Sequence, residues 1–113
     1  MEDKLICIYV PAEGKPRFYA IENTLKAMQE AVGGLIQAVG FAEDCCIICN
    51  EEGRLLGMPP NRAMGFFGNF VGDCLLVGVD GEDFCSLSPG QYEILQRSMN
   101  SYLSKQRSNA NEY

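Results

Sequence analysis

A chain of 113 residues has room for one hydrophobic core, and with 47 % apolar and 21 % charged residues it can fill that core without metal or disulfide staples. Its net charge of −6, with nine basic residues scattered along it, argues against direct binding to nucleic acid, whose phosphates are held by clustered Lys and Arg that displace counterions. There is no histidine, so Ser-His-Asp and Cys-His catalysis are excluded.

The first apolar run, Leu5 to Val10, is β-prone and ends at Pro11. It is shorter than the ~7–15 apolar residues of a signal peptide's core, and no later segment approaches the ~20 of a membrane span, so a cytoplasmic protein without membrane contact is expected. Gly14 and two flanking prolines then give a turn, and Arg17 to Ile21 reads as the partner strand of an edge hairpin. Asn23 or Thr24 can cap a helix whose positions Leu25, Met28 and Val32 share one face, and Gly33-Gly34 ends it.

Leu35 to Phe41 restarts a strand, Glu43-Asp44 supply a turn, and Cys45 to Cys49 reads as a central strand, because its near-continuous apolarity implies burial on both faces. Glu52-Gly53 predicts a hairpin return through Arg54 to Leu56. Met58 to Gly68 is irregular. Phe70 to Val79 reads as a strand in which Gly72 and Gly78 mark a bulge or close backbone approach, and Asp80-Gly81 turns it towards Phe84 to Leu87.

Ser88-Pro89-Gly90-Gln91 has the form of a capping box with proline at the first helical position, followed by an apolar stripe of Leu95, Met99, Tyr102 and Leu103. Residues 1–104 thus read as one α+β domain, with a mostly antiparallel sheet of about five strands and two helices packed on it. Residues 105–113 read as a polar, frayed tail.

The six cysteines, Cys7, Cys45, Cys46, Cys49, Cys74 and Cys85, sit in apolar runs, where a free thiol behaves as a small hydrophobe. On a strand Cys45 and Cys46 point to opposite faces, and Cys45 and Cys49 lie ~13 Å apart, so the three cannot share one ion. No metal and no cofactor is expected. Glu51 and Glu52, neighbours at a turn, diverge and do not face each other as glycosidase carboxylates must. Gly65, Gly68 and Gly72 lack the Lys-Ser or Lys-Thr of a phosphate loop, and Asp80, Glu82 and Asp83 lack calcium-loop spacing. The chain does not read as an enzyme.

The stretch from Cys45 to Arg62 concentrates polar groups. Asn50 and Asn61 can both donate and accept, Arg54 and Arg62 offer planar forks for phosphate or carboxylate, Glu51 and Glu52 flank the turn, and Pro59-Pro60 stiffen the loop. These six polar side chains are the candidate ligand-binding set. The alternative is structural: Arg62 pairs with Glu51 or Glu52, and Asn50 caps the turn.

The segment Ile-Cys-Asn-Glu-Glu-Gly-Arg-Leu-Leu-Gly-Met-Pro-Pro-Asn-Arg, with the Val-Gly-Gly before it and Gly-Glu-Asp-Phe-Cys-Ser-Leu-Ser after it, resembles a family of small uncharacterised domains from bacteria, phages and conjugative elements. The likeness spans Leu5 to Leu103. It implies a mobile-element context and no activity. Two functions are therefore expected: a non-enzymatic accessory protein that sequesters a small anionic, nucleotide-like ligand to counter host defence signalling, or an acidic module that docks on a host protein and inhibits it as a nucleic-acid mimic. A homo-oligomer is compatible with either.

Overall fold

The computed structural model describes residues 3–111, with side chains as far as Gln106. Along it run β1 (Lys4–Val10), β2 (Arg17–Glu22), α1 (Leu25–Val32), β3 (Ile36–Ala42), β4 (Cys45–Asn50), a 3₁₀ turn (Ala63–Phe66), β5 (Cys74–Asp80), β6 (Asp83–Cys85) and α2 (Pro89–Asn111). The strands form one six-stranded sheet in the order β2-β1-β5-β4-β3, with β6 added to β5, and each of these pairings is antiparallel. The expected α+β architecture is present.

The two helices lie on opposite faces of this sheet. Alternation along each inner strand sends Ile8, Val10, Ile47, Cys49, Cys74 and Leu76 towards Leu95 and Met99 of α2, and sends Leu5, Cys7, Cys46, Ile48, Leu75 and Val77 towards Met28 and Val32 of α1. This explains why β4 is buried at all six positions: an antiparallel strand usually has one wet face, but here both are roofed.

Local signals account for the helix ends. Thr24 caps α1 by accepting the Ala27 N–H at 3.1 Å, and Gly33, in the left-handed region at φ 81°, donates to the Gln29 carbonyl. Leu25, expected on the buried stripe, is 59 % exposed; Ala27 and Ala31 flank Met28 and Val32 against the sheet instead. On α2 the box is reciprocal, with the Ser88 N–H donating to Gln91 Oε1 at 2.7 Å and the Gln91 N–H donating to Ser88 Oγ at 3.1 Å. Ser88→Ala is accordingly expected to cost about 1 kcal/mol and lower the melting temperature by several degrees, read by thermal unfolding; an unchanged melt would show the box to be idle. The helix continues past Ser104 to Asn111, and the last two residues of the expected tail lie outside the described residues.

Two expected strands differ. Residues 51–57 form successive turns, with Leu55 87 % and Leu56 60 % exposed, and no hairpin return through Arg54 to Leu56. The reason is that β4 is already paired on both edges, by β3 and β5, so a returning strand has no place beside it. The strand expected from Phe70 begins only at Cys74, because Gly72 at φ 74° breaks the extended backbone after the single Pro60–Val71 bridge. Further on, Gly78 is where β6 closes in: a Cβ there would lie 2.7 Å from the Ser86 carbonyl oxygen.

Candidate functional site

The polar set between Asn50 and Arg62 does not converge. Asn50 is 5 % exposed; its Nδ2 donates to the Val32 carbonyl at 3.1 Å and its Oδ1 accepts the Glu52 N–H at 2.7 Å, which caps the turn and ties it to the end of α1. Asn61 is 4 % exposed and joins three segments. Its Nδ2 donates to the carbonyls of Val10 (2.9 Å) and Gly72 (2.8 Å), while its Oδ1 accepts the Met64 N–H at 3.0 Å. Both amides are thus engaged internally.

The charged members of the set face solvent in different places. Arg54, which donates to the Asn69 carbonyl, shares a cleft of about 440 Å³ with Asn50, Glu51 and Phe70. Arg62 lines a separate cavity of about 190 Å³ with Lys15, Asn100 and Ser104. Glu52 is exposed and borders neither, as does buried Asn61. Among the described residues Arg62 makes no ion pair with Glu51 or Glu52; the pair that forms is Glu93 with Arg97, one turn apart on α2.

A larger concavity, about 870 Å³, lies elsewhere, between α1, the β1–β2 hairpin and the segment from Met58 to Asp73. Element lengths open it. An eight-residue helix is about 12 Å long, against roughly 20 Å for the strands beneath, so α1 covers Leu5 and Cys7 but leaves the Tyr9 end of the hairpin unroofed. Antiparallel register sets Tyr9 opposite Arg17 and Cys7 opposite Tyr19, all directed to the α1 side.

The side chains in this cleft are ordered by one another. Tyr9 Oη donates to Asp73 Oδ2 at 2.5 Å, and the other Asp73 oxygen accepts the Ala12 N–H at 2.9 Å, so both carboxylate oxygens are engaged. The Arg17 guanidinium lies 5.0 Å from the centroid of the Tyr9 ring, within cation–π range, and the Tyr19 ring lies 5.4 Å from that of Tyr9 at an angle of 57°. Burial, and next the bond to Asp73, push the Tyr9 hydroxyl up to about 12, so it stays a donor at neutral pH. Lys4 and Glu22 face each other across the hairpin at one side, and Glu30 looks in from α1.

Sequence reasoning missed this site, although a signal was present. Strand alternation in Arg17-Phe18-Tyr19-Ala20-Ile21 puts a cation and an aromatic ring on one face, and pairing with Leu5 to Val10 adds Tyr9. Asp73, 64 residues from Tyr9, carries no such signal.

The cysteines play no part in the cleft. Burial pushes Cys7 and Cys74 up to about 12 and Cys45 and Cys46 up to about 11, so these thiols are protonated at neutral pH. Among the described residues no three Cys, Asp or Glu side chains are grouped to hold a metal ion, and no helix is long and apolar enough to cross a membrane.

A single antiparallel sheet between two helices, with one open corner, defines a small α+β domain. Over residues 4–102 the chain matches the family described as a domain of unknown function, DUF3846, and it belongs to that family. No curated protein and no solved structure matches it.

Proposed function

We propose that this domain is a binding module, not an enzyme, and that it holds a small ring-containing ligand in the cleft between α1 and the β1–β2 hairpin. The observation that carries this reading is the Arg17-Tyr9-Tyr19 group, an aromatic and cationic wall in a cleft whose volume of about 870 Å³ suits a small molecule. Binding without turnover is supported by the state of the polar groups: Asp73 is held at both oxygens and Tyr9 keeps its proton, so neither is poised to move one. As an accessory protein of a mobile element, such a module would act by withdrawing its ligand from solution.

A second reading, docking on another protein, draws support from a different place. An apolar groove of about 730 Å³ runs between β2 and α2, with Ile6 and Leu87 in its lining and Phe18 and Tyr92 in edge-to-face contact at 5.8 Å. In its lining, Gln96 Oε1 is buried with no hydrogen-bond partner among the described residues.

A thermal-shift panel of nucleosides, nucleotides and aromatic metabolites tests the first reading. A ligand at a hundred times its dissociation constant adds about 2.7 kcal/mol of stability, a shift of several degrees in a domain of this size. That shift should vanish in Tyr19→Ala and survive in Arg62→Ala, and the ligand should be recovered unchanged. A shift indifferent to Tyr19 and lost with Arg62 would return the site to the Asn50–Arg62 segment; conversion of the ligand would make the domain an enzyme.

A further inference from the structure

The geometry points to a nucleoside phosphate whose base carries an exocyclic amino group, with the phosphate on Arg17, the base against Tyr19 and the amino group directed to Glu30. This deepens the reading of the cleft as a ligand site and rests on it. Among the described residues no carboxylate pairs with Arg17, although three acidic side chains line the same cleft. Asp73 is engaged by Tyr9 and Ala12, and Glu22 sits opposite Lys4 in the hairpin register. Stacked on the Tyr9 ring, the Arg17 guanidinium is held in place while its N–H fork stays open, which is the form suited to a phosphate.

The ring of Tyr19, tilted against Tyr9 and more than a third exposed, offers a flat apolar surface beside that fork. Stacking alone would accept any base. Selectivity comes from Glu30, which reaches the cleft from α1 with no cation paired to it among the described residues. A carboxylate accepts hydrogen bonds and cannot donate, so it favours an amino-bearing edge over one that presents only carbonyl oxygen. The negative charge of Glu30 also disfavours a phosphate at its own end, which fixes the ligand's direction.

Calorimetric titration with adenosine 5′-monophosphate, adenosine and purine riboside 5′-monophosphate, which lacks only the amino group, decides the matter. The adenine nucleotide should bind at least tenfold more tightly than adenosine, and Arg17→Ala should bring it down to the nucleoside's affinity while leaving adenosine itself unchanged. It should also bind several-fold more tightly than the purine riboside nucleotide, a margin that closes in Glu30→Ala. Equal binding of nucleotide and nucleoside, both lost in Tyr19→Ala, would overturn the phosphate assignment and leave the cleft standing as a site. No binding that depends on Tyr19, with these ligands or with the wider panel, would overturn the cleft and this assignment together.

Discussion

Replacing Asn61 with leucine is expected to destabilise the domain by about 3–5 kcal/mol. Leucine is close in size but neither donates nor accepts, so the Val10 and Gly72 carbonyls and the Met64 N–H all lose a partner in a place where water cannot follow, at roughly 1–3 kcal/mol each before relaxation. Against a total stability of about 5–15 kcal/mol, that loss lowers the melting temperature by about 15 °C or more. Arg62→Ala, one residue on, is the control, since this exposed side chain lines a small cavity and its removal should change stability by less than about 0.5 kcal/mol. Two melting curves suffice. If both variants unfold within a degree or two of the wild type, Asn61 is not what ties the loop to β1 and β5.

Alkaline pH is expected to unfold the protein through its thiols. Cys7 and Cys74, both fully buried, keep their protons to about pH 12 in the folded chain against an ordinary 9.0, with burial the first cause at each. Their folded values are raised, so the stability they contribute is complete below pH 9 and is lost as pH rises through the folded value. In the window from pH 9 to pH 12 the unfolded chain has released protons that the folded chain still holds. Each such thiol removes about 2 kcal/mol between pH 9 and pH 10.5, and Cys45 and Cys46, raised to about 11, act in the same direction. Tyr9, raised from 10.0 to about 12, adds to the fall above pH 10. Urea unfolding at a series of pH values should give a level stability up to pH 8.5 and a steep decline above pH 9. Cys7→Ala should make that decline shallower by about 1.4 kcal/mol per pH unit. A level curve to pH 11 would contradict the burial of these thiols as the cause.

The two results touch the parts of the molecule that differ most in how they are encoded. Cysteine burial was legible in the chain because Cys45-Cys46-Ile47-Ile48-Cys49 has no polar interruption, and only a strand covered on both sides tolerates that. The same kind of local information offered Asn23 or Thr24 as the cap of α1, Gly33-Gly34 as its end, the Ser88 box and a bulge or close approach at Gly78, of which the structure takes Thr24, Gly33, the box and the close approach. Each is set by atoms within a few residues, or by the small size of one residue.

What was not legible in the chain was long-range. The polarity of Asn50 and Asn61 resembled a binding surface, yet a buried amide that crosses between segments has the same composition as one offered to a ligand; the partners of Asn61, at Val10 and Gly72, stand 51 and 11 residues away. Leu55 and Leu56 carry a strand's residues, but both edges of β4 were already taken. By itself the sequence determined the class of fold, the helix caps and the free, buried state of most of its cysteines, because hydrophobic period, capping chemistry and apolar runs are local quantities. Only the tertiary structure decided that the helices take opposite faces, that α1 is too short to roof the hairpin, and that Tyr9, Arg17, Tyr19 and Asp73 meet at the corner it leaves open, because strand order and register determine which distant residues become neighbours.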